Sequence, residues 1–151
     1  MKSAKPGDII QIETTRGVAL ARFMAQDPFH GALLDVFNEI HSAVPRDIFS
    51  AISKEPAFQT FFPLNHAVRN GIVKVVGHCP VPAGYIPPLF RVGFRDRNGI
   101  VEDWWLWDGN KEWKVGKLTS EQKRFPIRRT INDAKLVELI EREWTPESDF
   151  E

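Results

Sequence analysis

Between Phe90 and Val115 the chain is interrupted twice, by Asn98-Gly99 and by Asp108-Gly109, and each interruption separates runs rich in β-branched and aromatic residues. Asn-Gly and Asp-Gly accept the positive φ angles of a tight two-residue turn, which makes them the strongest short-range signal for a β-hairpin. The pattern predicts three consecutive antiparallel strands, Phe90 to Arg95, Ile100 to Trp107 and Lys111 to Val115.

The middle strand carries Trp104-Trp105-Leu106-Trp107. Successive strand side chains point to opposite faces, so Trp104 and Leu106 face one way and Trp105 and Trp107 the other. In one reading, one face lies in the core and the other beneath the C-terminal helix. In a second, Trp107 and Trp113 stand exposed beside Asp108 and Lys114 as anchors of a partner interface, where Trp is a frequent hot-spot residue. Trp107, Asp108, Trp113 and Lys114 are therefore the candidate partner-binding residues.

Upstream, the turn Pro6-Gly7-Asp8 leads into a β-rich run from Ile9 to Thr14. Arg16-Gly17 separates it from Val18 to Met24, which predicts a hairpin. Ala32 to Phe37, after Asp27-Pro28, completes a meander. Asp47 to Ile52 opens a short helix that Pro56 stops. Phe58 to Leu64 and Ile72 to Val76 read as buried strands joined around Asn70-Gly71. Pro80, Pro82, Pro87 and Pro88 keep the following segment out of regular structure, and Tyr85, Ile86 and Leu89 give it apolar anchors. Thr119 and Gln122 have capping-box spacing over a short turn ended by Pro126. Asn132 can cap a last helix in which Leu136, Ile140 and Trp144 recur every four residues with Val137 beside them, until Thr145-Pro146 breaks it.

With 151 residues and 42% apolar composition, including 11 Phe and 5 Trp, the chain has material for a real core. No repeat or boundary divides it, so residues 1–151 read as one domain. Twenty basic and twenty acidic residues cancel, leaving no long-range field to draw nucleic acid or an anionic membrane. The balance is uneven along the chain. From Gly109 to Thr130 seven bases face two acids, and from Ile131 onward seven acids face two bases. Trp113 and Phe125 lie among those bases, so stacking on single-stranded nucleic acid is a possible but disfavoured use.

The lone Cys79 excludes an intrachain disulfide and suits a reducing cytosol. The first eight residues contain no apolar signal core, and no run approaches the length of a membrane helix, so the expected location is cytoplasmic.

No catalytic constellation emerges. His30, His41, His66 and His78 show no helical or structural zinc spacing, so no metal or other cofactor is expected. Asp8, Asp35, Asp103 and Asp108 have no spacing that pairs them. There is neither a Gly-x-Ser-x-Gly elbow nor a phosphate-cradling glycine loop.

Several segments carry a family resemblance. They are Pro6-Gly7-Asp8-Ile9-Ile10-Gln11-Ile12, Gly17-Val18-Ala19-Leu20-Ala21-Arg22, Phe61-Phe62-Pro63, Lys74-Val75-Val76-Gly77-His78, Pro87-Pro88-Leu89-Phe90-Arg91, Trp104-Trp105-Leu106-Trp107-Asp108-Gly109 and Trp113-Lys114-Val115-Gly116-Lys117-Leu118. Together they resemble the immunity-26 family of bacterial polymorphic-toxin systems. The resemblance implies a small cytosolic protein that binds and neutralises a cognate toxin protein. A phosphotriesterase-like activity is also attached to that family label, but four scattered histidines are poor material for a two-metal hydrolase. A nucleic-acid or peptide-binding module is the third reading. The expected fold is α+β, a curved antiparallel sheet or partial barrel with the C-terminal amphipathic helix packed on it.

Overall fold

A computed structural model describes residues 3–149. Met1 and Lys2, part of the stretch tested for a signal core, and Phe150 and Glu151, the end of the acidic tail, lie outside the described residues. The fold is α+β, with two open antiparallel sheets, neither closed into a barrel. Its contacts group into two compact units, Met1–Tyr85 with Arg129–Trp144, and Ile86–Arg128 with Thr145–Glu151.

The first unit is built on five strands in the order β4-β3-β2-β1-β5: β1 (Asp8–Thr14), β2 (Gly17–Asp27), β3 (Gly31–His41), β4 (Phe58–Phe62) and β5 (Val73–His78). The meander read from the first forty residues is present, with longer strands than expected. Gly17, at φ 143°, makes the first turn possible, since a Cβ there would lie 2.3 Å from the His41 carbonyl oxygen. Bulges between Ile9 and Ile10, Val18 and Leu20, and Phe23 and Ala25 bend and twist these strands.

Both faces of this sheet are covered. On one, the register row Ile10–Ala21–Val36–Phe58 belongs to the side where Trp144 meets Phe58 edge-on at 5.4 Å. Helix α3 (Asp133–Glu141), with Leu136, Leu139 and Ile140 buried, packs against β1 and β3. Its cap is the expected one, as the Asn132 side chain accepts from the Lys135 N–H at 2.8 Å. The helix stops before Trp144, however. Glu143 turns left-handed at φ 53°, the Glu143 N–H donates to Ile140 O, and the Trp144 N–H donates to Leu139 O. This C-terminal motif folds the tryptophan back, so its four-residue spacing mimicked another helical turn.

On the other face, Ile9, Leu20 and Phe37 cluster with Ile52 of α1 (Ile48–Ile52). Asp47 caps α1 by accepting from the Ser50 N–H at 3.1 Å. One element went unread: Leu64–Arg69 is a helix, α2, where the sequence suggested the end of a strand and a turn. Pro63 explains it, because a residue without an N–H ends the ladder and its fixed φ suits a helix start.

The second unit holds β6 (Phe90–Arg95), β7 (Val101–Trp107) and β8 (Glu112–Gly116), ordered β6-β7-β8. The hairpin signals are thus realised. Asp96 accepts from the Asn98 and Ile100 N–H groups in the first turn, and Gly99 sits at φ 79°. On the far side of β6, the Arg91 N–H donates to Pro126 O and the Arg91 carbonyl accepts from the Arg128 N–H. Thr119 and Gln122 form their reciprocal cap at 3.0 and 3.1 Å, opening a short 3-10 turn, Gln122–Arg124.

Candidate partner-binding surface

The register of the three-stranded sheet sorts its side chains into two faces. Phe90–Trp107–Glu112 and Val92–Trp105–Lys114 are rows on one face, and Arg91–Leu106–Trp113 is a row on the other, with Gly93 beside Trp104. Gly93 allows the Trp104 ring to lie on the strand, since a Cβ there would come within 2.8 Å of it. The alternation expected of the tryptophan run holds.

The four candidate residues do not form one patch. Trp107 is buried, meeting Phe90 at 5.5 Å with the Arg128 guanidinium 5.2 Å above its ring. This corrects the expectation that it stands exposed. Its strand neighbours are aromatic on both sides of the sheet, so exposure depended on what covered each face. Asp108 builds the second turn, with Oδ1 accepting from the Asn110 and Lys111 N–H groups at 2.8 and 2.7 Å. Those amides, Lys111 first, hold its carboxyl below the ordinary value. Lys114 is exposed on the Trp105 face and pairs with Asp103 at 3.3 Å. Trp113 is 39% exposed and projects from the opposite face. It sits on β8, the sheet's edge, where no strand among the described residues pairs with the outer side.

On Trp113's face lies a feature the sequence did not disclose, a cleft of about 200 Å³. Trp104, Val101 and Leu118 form its apolar part, and Arg91, Lys117, Lys123 and Glu102 its charged part. Arg91 is fully buried, stacked 5.1 Å over Trp104 and donating from Nη2 to the Asp149 carbonyl at 2.8 Å and to the Pro146 carbonyl. Only the run of bases after Gly109 pointed toward it. Elsewhere in that run, Arg128 pairs with Glu112 at 3.0 Å and Arg124 with Glu147 at 3.6 Å.

The histidines are dispersed. His78 Nδ1 meets Asp8 Oδ1 at 2.8 Å, His30 Nδ1 meets Asp27 Oδ2 at 2.8 Å, and His41 lies 3.5 Å from Glu39. His66 is in α2 beside Asn70. His78 pairs with Asp8, whereas His41 pairs with Val18, the partner of Glu13. Five strand residues therefore separate the two, roughly 17 Å along the sheet. Among the described residues no three His, Cys, Asp or Glu side chains converge as a metal-ligating group. The Cys79 thiol belongs to the apolar cluster around Ile9 and Phe37.

A polar row crosses the first unit's sheet. Arg22, Asp35 and Gln59 are direct register partners on β2, β3 and β4, and the Gln59 amide donates to Asp35 at 2.7 Å. The Arg22 guanidinium donates to the Cys79 and Pro80 carbonyls, holding the proline-rich segment over the row. The Tyr85 hydroxyl is buried beside this row. Burial, followed by the Asp35 charge, pushes this phenol up to about 12. Burial likewise raises the Asp35 carboxyl, against the opposing Gln59 hydrogen bond and Arg22 charge.

An acid whose pKa is raised on folding contributes stability below its unfolded value that is lost as pH rises through the folded one. Asp35→Asn is therefore expected to be more stable than the parent at neutral pH. The gap should close as pH falls toward the ordinary value of 3.8. Thermal midpoints measured across that range check it, and a variant less stable at every pH would show that the Arg22 attraction outweighs burial.

No family profile, curated protein or solved structure matches the chain. No helix among the described residues is long and apolar enough to cross a membrane.

Proposed function

We propose that this chain is a cytoplasmic binding protein that neutralises a cognate bacterial toxin, through the edge of its three-stranded sheet. The observation that carries the reading is Trp113, a large aromatic side chain left 39% exposed on a strand with an open edge. An inhibitor needs only to occlude its target, and a few aromatic anchors ringed by charge suffice for tight binding. The open edge also offers main-chain hydrogen bonds to an incoming strand. The toxin as partner rests on the family resemblance of the segments quoted above.

The test is coexpression with candidate toxin domains drawn from the gene's neighbourhood. The parent chain is expected to protect cells, and Trp113→Ala to weaken binding about 30-fold, the value of an aromatic hot spot near 2 kcal/mol. Equal protection and affinity with Trp113→Ala would remove Trp113 as the anchor. Absence of binding by the parent chain to any of these domains would end the reading.

A further inference from the structure

We propose that two copies of this chain pair along β8 as a symmetric antiparallel dimer centred on Trp113. The Asp108 N–H donates to the Lys111 carbonyl where the second hairpin closes. Hydrogen-bonded and non-hydrogen-bonded positions alternate along an antiparallel pair. Trp113 therefore turns its main-chain groups toward its register partner Leu106, while Glu112 and Lys114 turn theirs toward the outer side, which no strand among the described residues occupies. Outward N–H and C=O groups of this kind are a template for another strand.

The side chains choose that strand and its register. A second β8, laid antiparallel with Trp113 opposite its own copy, sets Glu112 against Lys114 of the second copy and Lys114 against Glu112 of the second copy. Sliding by two residues, the smallest step that keeps every side chain on its face, sets Glu112 against Glu112 or Lys114 against Lys114. Like charges directly opposite destabilise a sheet, so one register is favoured. Glu112 already pairs with Arg128 at 3.0 Å and Lys114 with Asp103 at 3.3 Å. The dimer joins these pairs into rows of alternating sign instead of neutralising bare charges. On the opposite face the two Trp113 side chains, each 39% exposed in the single chain, meet at a non-hydrogen-bonded position, where side chains approach most closely. A five-residue strand makes a small interface, so the association is weak and reversible. A toxin and a second copy would compete for this edge, but the pairing does not rest on the toxin reading and no toxin enters its test.

Sedimentation velocity of the full chain, taken from about 10 μM to about 1 mM, is expected to move from monomer toward dimer. Hydrogen exchange at the Glu112 and Lys114 amides should slow over the same range. Glu112→Lys alone and Lys114→Glu alone each create two like-charge contacts across the dimer, and each is expected to weaken it about tenfold. An equimolar mixture of the two variants should regain the parent's association, because every reversed charge then faces its opposite. A chain that stays monomeric, with no slowing of exchange at Glu112 and Lys114, overturns the proposal. So does a dimer indifferent to both reversals, or one that mixing fails to restore while both variants keep the parent's circular dichroism.

Discussion

Phe62→Ala is expected to cost the protein about 3 to 5 kcal/mol of stability, the range for deleting a fully buried aromatic ring. Phe62 closes β4 at 1% exposure and pairs with Ala32. Its face is that of Val36 and Phe58, between the sheet and the side occupied by α3 and Trp144. The neighbouring positions are themselves strand residues locked in register, so they can collapse only slightly into the vacated space. The loss then combines transfer of the ring with an unfilled cavity. For a chain of this size the thermal midpoint should fall by roughly 10 °C, read by circular dichroism. Phe62→Leu, which keeps most of the volume, should cost about 1.5 kcal/mol or less. If Phe62→Ala lost less than about 1 kcal/mol, the site would be collapsible and this account of the core wrong.

Arg91→Ala is the second large effect expected, on the other unit. The guanidinium is wholly buried and donates to the carbonyls of Pro146 and Asp149, at the start and just past the end of the short 3-10 turn Pro146–Ser148. Alanine would strand those acceptors at about 1 to 3 kcal/mol for each one left buried, and would remove the stem and cation packed over Trp104. The total is expected to reach about 3 kcal/mol or more. Arg91→Met keeps the stem and sheds the cost of a buried charge, so it should fall between parent and alanine. Limited proteolysis supplies a second readout, since cleavage at Thr145 to Asp149 should accelerate in both variants. Slow, parent-like cleavage with Arg91→Ala would show that something other than the guanidinium holds that turn.

These two positions illustrate how unevenly the structure was legible in the chain. Turn chemistry is local, so Asn98-Gly99, Asp108-Gly109 and the caps at Asp47, Thr119 and Asn132 announced their elements correctly. The tryptophan alternation was equally readable, because strand geometry alone dictates it. By contrast, α2 was masked by apolar residues running from Phe58 through Leu64, and only the placement of Pro63 separated strand from helix. Trp144 kept helical spacing while a left-handed Glu143, a non-glycine residue, ended the helix first.

The candidate surface divided along the same line. The sequence could nominate Trp107, Asp108, Trp113 and Lys114 as neighbours, and neighbours on a hairpin do not share a face. Pairing Trp107 with Phe90, and covering it with Arg128, buried it. Pairing Trp113 with Leu106 on the edge strand left it half in solvent. The cleft was still less visible, since Arg91, Trp104, Lys117 and Lys123 come from separate segments that only strand register and the 3-10 turn bring together. The row Arg22–Asp35–Gln59 is similar, for a one-residue slip in any strand would send those side chains to the α3 face.

By itself, then, the chain determined its α+β class, its two hairpin-rich stretches and a capped amphipathic helix, because turns, caps and periodicity are interactions among residues within a few positions. Tertiary structure alone decided that Arg129–Trp144 joins the unit of Met1–Tyr85, which tryptophan is buried, and where cations converge. Those outcomes depend on desolvation and register between distant segments, whose energies no local stretch of sequence contains.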